Sequence, residues 1–175
     1  MVRDWSVRAF ALAGAAVLVA CSPAETGTVS AQSTDSTSST ETEAVHPISG
    51  LKIIDVTIER DAGPMTFKTE LADTPEAQAR GLMFRTELGD DEAMLFPSRE
   101  PSQRSFWMKN TPLSLDIIFV GTDGRISNIA ANTTPYSEDS VASSGLATAV
   151  FEIRAGLSEK FGIKPGDALT YTLPE

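Results

Sequence analysis

Three observations predict a mostly β domain, a compact β-sandwich or jelly-roll-like, partly closed barrel with one or two short helices. Short runs of branched and aromatic residues recur between turn signals, only two stretches carry helical spacing, and Pro47 to Glu175 has the length of one ordinary domain.

Leu51 to Ile58 alternates in the strand sense, with Ile54, Val56 and Ile58 on one side, and Met65 to Leu71 alternates again after Asp61-Ala62-Gly63-Pro64, which predicts a hairpin. Asp73-Thr74-Pro75-Glu76 reads as a helix start. Asp73 or Thr74 is the cap, proline occupies the tolerated first turn, and an acid sits near the positive helix end. Ala77, Arg80, Gly81 and Phe84 follow at helical spacing, so the helix should end around Arg85. Ala93 to Phe96, Ser105 to Lys109, Leu115 to Val120 and Arg125 to Ala131 are strands, the last two joined through Gly121-Thr122-Asp123-Gly124. Asn132 to Gly145 is crowded with Thr, Ser, Asn, Pro and Gly and becomes the main loop. Ala147 to Ile153 is a strand, Gly156 to Phe161 a short helix, and Lys164-Pro165-Gly166-Asp167 a turn into the closing strand Leu169 to Leu173.

The chain ahead of this domain says where the protein works. Arg3 and Arg8 precede an apolar stretch from Ala9 to Ala20, and Leu18-Val19-Ala20-Cys21 has the form of a bacterial lipoprotein processing site. A membrane-crossing helix needs about 20 apolar residues. This run is shorter and carries Gly14, so cleavage before Cys21 is the better reading than an anchor helix. Residues 1–20 are then a signal peptide. Residues 21–46, rich in Ser, Thr and Glu, form a disordered tether lipidated at Cys21, with a reach of about 25 to 30 Å. Residues 47–175 are the folded domain. The expected setting is the bacterial cell envelope, facing the periplasm, with the membrane as partner through the lipid. Ser22, in place of the acidic residue that retains some lipoproteins in the inner membrane, favours the outer one. Arg3, Arg8 and Asp4 leave with the signal, which turns 14 basic and 24 acidic residues into 12 and 23, a net charge of −11. Such a surface repels nucleic acid.

The inventory excludes familiar catalytic sets. Lipidation consumes Cys21, the only cysteine, and the single histidine, His46, is placed in the tether, so Cys-His and Ser-His-Asp machinery are not available. A zinc site has no ligands, and no phosphate loop or dinucleotide fingerprint is present; no cofactor and no metal are expected. Asp90-Asp91-Glu92 reads as a solvated turn more readily than as a metal site.

The richest stretch is Ser105 to Asp116. On a strand Trp107 and Lys109 share one face, while Phe106, Met108 and Asn110 share the other. Trp107 by itself reads as half-buried core, although an indole also offers a platform for sugar or peptide. Asp116 lies within the apolar run Leu115 to Val120, and Glu152 between Phe151 and Ile153. A carboxylate so placed either braces the fold through hydrogen bonds or sits in a pocket with a shifted pKa. Arg80 and Arg85 flank Gly81-Leu82-Met83-Phe84, and paired arginines bind carboxylate or phosphate bidentately. Met83, Met94 and Met108 add soft apolar surface.

Arg80-Gly81-Leu82-Met83-Phe84-Arg85, Met94-Leu95-Phe96, Phe106-Trp107-Met108-Lys109-Asn110-Thr111 with Leu115-Asp116-Ile117-Ile118-Phe119, Phe151-Glu152-Ile153, and Gly162-Ile163-Lys164-Pro165-Gly166-Asp167 together resemble the domain of unknown function 192 (DUF192), over about Val56 to Leu173. The resemblance implies a compact jelly-roll-type β-sandwich with a little helix, often in exported proteins or lipoproteins, and supplies no activity or catalytic residue. Ala93 stands where that family usually has glycine and Ser114 where it usually has proline.

The leading expectation is a non-catalytic binding domain for an envelope ligand, whether glycan, peptide or protein. Its candidate ligand-binding residues are Arg80, Arg85, Trp107, Lys109, Asn110, Asp116 and Glu152. The alternatives are an envelope hydrolase or lyase using Asp116 or Glu152 as acid or base, and a scaffold or assembly factor.

Overall fold

The structure is a computed structural model that describes residues 44–174. The expected signal segment, Cys21 and most of the expected tether lie outside the described residues. Seven strands and two short helices follow one another as β1 (Ile53–Arg60), β2 (Gly63–Leu71), α1 (Pro75–Arg80), β3 (Glu92–Phe106), β4 (Leu115–Gly121), β5 (Ile126–Ala130), β6 (Val141–Arg154), α2 (Leu157–Phe161) and β7 (Ala168–Tyr171).

One sheet holds all the strands, in the order β5-β4-β6-β3-β2-β1-β7. Only β2 and β3 run parallel; every other neighbouring pair is antiparallel. The two sheet edges approach each other where Ile126 N–H donates to Asp167 O (2.9 Å) and Leu169 N–H donates to Gly124 O (2.9 Å). The sheet is thus a half-barrel, as the mostly β, partly closed expectation required.

Strand alternation sends two sets of side chains to opposite faces. The concave face gathers Val56, Ile58, Phe67, Leu95, Ile118, Phe151 and Ile153, sealed by Leu157 of α2 and by Leu169. Phe67 and Phe151 meet edge to face, with ring centroids 5.4 Å apart. The convex face carries a second cluster, in which Met94, Phe96, Ile117, Phe119 and Val150 pack with Leu82, Leu88 and Met108. Because both faces are covered, all seven residues of β4 are buried.

Local signals explain most boundaries. In α1, Thr74 is the cap, accepting the Ala77 N–H at 3.1 Å, with Pro75 in the first turn. This helix stops at Arg80, short of the expected Arg85, because Gly81 turns to φ 49° and ψ −138°. Ala93–Phe96 and Ser105–Phe106 belong to one strand, β3. Its middle, around Pro97 to Gln103, shifts register against β6 and is exposed, which is why sequence periodicity broke there. The strand ends at Phe106, so Trp107, Met108 and Lys109 leave the sheet. The long loop is shorter than expected, since Ser105 and Phe106 pair with Ala142 and Val141 and start β6 at Val141.

Replacing Phe151 by alanine removes the ring wedged against Phe67. A loss of about 3 to 5 kcal/mol in unfolding free energy is expected, read as a lower urea midpoint at unchanged slope.

Candidate functional site

The sequence candidates separate into three places. Asp116 is fully buried. Its Oδ1 accepts the N–H groups of Asn132 (2.8 Å) and Gly156 (3.2 Å), and its Oδ2 accepts the Ser158 N–H (2.9 Å). The carboxylate therefore fastens the start of the long loop and the entry to α2 onto β4. Of the two roles open to Asp116, this geometry supports the bracing one, since both of its oxygens accept backbone N–H groups.

Arg85 stands elsewhere. Its Nη1 donates to Glu70 Oε1 at 2.6 Å, and both side chains are buried. His46 lies over this pair, with Nδ1 3.5 Å from Glu70 Oε2 and Nε2 3.5 Å from Arg85 Nη2. The histidine is thus not in a free tether: Val45 bridges to Lys52, and Gly50 N–H donates to His46 O at 2.8 Å. The Pro47-Ile48-Ser49-Gly50 turn between Val45 and Leu51 was the available signal. Glu70, which sequence reasoning passed over, clamps the turn after α1 to β2.

Arg80, Trp107 and Glu152 do come together, around a cavity of about 380 Å³ on the convex face. One wall is the C-terminal end of α1 with Gly81, Leu82 and Met83; the other is the end of β3 with Phe106, Trp107 and Met108. Glu152 enters from β6. Its neighbours in register are Met94 of β3 and Ile117 of β4, so alternation that buries Phe151 and Ile153 in the concave core turns Glu152 to the covered convex face. It is 4% exposed, and burial pushes its carboxyl up to about 8. Phe96 and Phe106 form an edge-to-face pair at 5.0 Å. The Arg104 guanidinium lies 5.5 Å from the Phe106 ring centre, with Nη1 donating to Ser98 Oγ (2.8 Å) and Nη2 to Gln78 Oε1 (3.3 Å).

Trp107 is 46% exposed and stands on a ridge, since Phe106, Trp107 and Met108 also line a second hollow of about 270 Å³ toward Asn132 and Thr133. Lys109 Nζ lies 5.0 Å from the indole centre and 3.7 Å from Glu138 Oε1. Lys109 and Asn110 flank the cavity without lining it. Around this rim three non-glycine residues hold the left-handed backbone conformation: Phe84 (φ 64°), Asn110 (φ 55°) and Tyr136 (φ 60°). Phe84 N–H donates to Asn110 O at 2.8 Å and Tyr136 N–H to Thr111 O at 3.1 Å, so the three turns are laced together. Phe84 and Tyr136 remain exposed.

Asp90 forms ion pairs with Arg154 and Lys160. Among the described residues no group of three or more His, Cys, Asp or Glu is placed to hold a metal ion.

The chain belongs to the DUF192 family, described as an uncharacterized ACR, which it matches over residues 56–171. Among solved structures it is similar to a protein of unknown function from Novosphingobium aromaticivorans, with 52% identity and a TM-score of 0.72, covering 73% of this chain and 91% of that one. It is also similar to a putative transcription regulator from Sinorhizobium meliloti, with 34% identity and a TM-score of 0.67, covering 69% of this chain and 95% of that one. No curated protein matches it.

Asp116→Ala strands three backbone donors and should lower unfolding free energy by about 3 kcal/mol or more in denaturant titration. Glu152→Gln should act through pH. The folded-state pKa of Glu152 is raised, so its native form is the neutral acid. Stability contributed by that acid is complete below the ordinary carboxyl value and is lost as pH rises toward about 8. The glutamine variant should therefore gain on the wild type by about 1 kcal/mol per pH unit across that window and melt higher at pH 9.

Proposed function

We propose that this chain is a lipid-anchored envelope protein, exported by residues 1–20 and held at Cys21, whose folded domain binds a small ligand in the cavity between the end of α1 and the end of β3. The carrying observation is the cavity itself. It has a volume in the range of small-molecule sites, aromatic and thioether walls, and a few convergent polar groups with one strongly perturbed carboxyl among them. The left-handed turns at Phe84, Asn110 and Tyr136 support the same reading, because strain of this kind is held where the fold over-determines a surface for use. Leu18-Val19-Ala20-Cys21 and the Ser/Thr/Glu-rich segment after it support the anchor, and Ser22 supports the outer membrane.

Binding is favoured over acid–base catalysis by the composition of the cavity. Among the described residues that line it, Glu152 is the only carboxylate, and Asp116 is sealed away from it. The regulator description of the Sinorhizobium meliloti protein finds no support in the charge of this chain, since −10 opposes the phosphate backbone of DNA.

Anchoring is tested with Cys21→Ser. The wild type should incorporate labelled palmitate and sediment with membranes, and the variant should do neither; an unlabelled wild type overturns the anchor. Binding is read by fluorescence, because of the two tryptophans Trp5 leaves with the signal and Trp107 remains. The mature protein in lipid nanodiscs should show a saturable emission shift with a low-molecular-weight envelope extract. By calorimetry on the active fraction, Trp107→Ala should weaken binding at least tenfold while moving unfolding free energy by less than about 1 kcal/mol. Absence of a saturable shift with any fraction overturns the reading.

A further inference from the structure

We propose that the ligand of this cavity is a small free zwitterion, seated with an organic ammonium group against Glu152 and an anionic group toward Arg80 and Arg104. The proposal rests on the binding reading and adds the ligand class.

Every other buried carboxyl group in this domain holds at least one hydrogen bond or ion pair, although Glu70 Oε2 itself has no hydrogen-bond partner. Glu70 has Arg85 at 2.6 Å, Asp116 has three backbone N–H groups, and Asp167 Oδ2 accepts the Lys164 N–H at 3.0 Å. Glu152 is as deeply buried as these, yet no hydrogen bond or ion pair to it is formed among the described residues, and it faces the cavity. A buried polar group without a partner is rare and marks a place where something else supplies the partner. An ammonium group is the complement of a carboxyl in such a setting. The walls suit it too: the indole face of Trp107 attracts cations, and the Met83 and Met108 sulfurs are soft and polarizable. Trp107 already draws a cation, Lys109, to its ring.

Two arginines line the same cavity. Arg80 is exposed on its rim with no ion pair among the described residues, and Arg104 is held only by the neutral Ser98 and Gln78. In a chain of net charge −10, two guanidiniums without carboxylate partners on one cavity are a local excess of positive charge. A simple cation would meet these arginines, and a simple anion would meet Glu152. A bipolar molecule satisfies both.

The pH dependence follows. Burial raises the Glu152 carboxyl to about 8, so seating a permanent ammonium group below that pH requires its proton to leave to solvent. The other charged groups facing the cavity are Arg80 from α1 and Arg104 from β3; β4 contributes only Leu115. Both arginines stay charged throughout. Affinity should therefore climb about tenfold per pH unit and level off above about 8.

The test uses the mature protein in nanodiscs, Trp107 emission, and three probes: 4-trimethylammoniobutyrate, choline and butyrate, each from pH 6 to 9. The zwitterion should bind at least tenfold more tightly than either single-charge probe, with the rising pH profile. Glu152→Gln should flatten that profile and remove the preference for an ammonium group. Arg80→Ala, at an exposed position that leaves folding intact, should bring the zwitterion down to the level of choline. Binding that weakens as pH rises would mean that the neutral acid donates to a ligand carbonyl, and would overturn the proposal. Unchanged binding by both variants would overturn it as well. If the envelope extract shifts Trp107 emission while all three probes fail, the zwitterion is wrong and the binding site stands; if the extract also fails, both fall.

Discussion

Strand β6 is the constraint on which the rest depends. It is hydrogen-bonded along most of its length to β3 on one side and to β4 on the other. Both of its faces are covered at the C-terminal end, where Ala149, Phe151 and Ile153 enter the concave core. The two-residue period then leaves no freedom: Val150 and Glu152 must face the convex side, beneath α1 and the segment after β3. A one-residue slip would carry Glu152 into the concave core and Phe151 out of it. The position of the acid in the cavity is thus fixed by the same packing that stabilises the sheet.

Two buried carboxylates organise what surrounds this strand, each by different chemistry. Asp116 gathers backbone N–H groups from two loops and so fixes where β5 exits and α2 begins. Glu70 holds Arg85 and thereby pins the turn that presents Leu82 and Met83 to the cavity. His46 closes over that pair, so the chain meets the folded domain before β1 begins. With these fastened, Phe84, Asn110 and Tyr136 are kept in conformations they would not hold alone.

Charge is distributed unevenly for so acidic a chain. Asp55 with Lys68, Asp61 with Lys164, and Asp90 with Arg154 and Lys160 are exposed pairs of small energetic weight. Arg80 and Arg104 instead line an aromatic hollow and form no ion pair among the described residues.

Local periodicity and punctuation settle near-neighbour geometry, and these were legible in the chain: the hairpin of β1 and β2, the Thr74-Pro75 start of α1, β4, and the mostly β class. Alternation alone marked Asp116 and Glu152 as carboxyls placed among apolar residues. It could not tell them apart, because the difference lies in what arrives from distant loops: Asn132, Gly156 and Ser158 at one, the wall of a cavity at the other. Arg80 and Arg85 likewise look equivalent five residues apart, and only the approach of Glu70 from β2 divides them. The amino-acid order by itself determined the β1–β2 hairpin, β4, the Thr74 cap and which carboxyls stand among apolar residues. Tertiary structure alone decided which of those found partners, since hydrogen bonding and desolvation depend on groups brought together from across the chain.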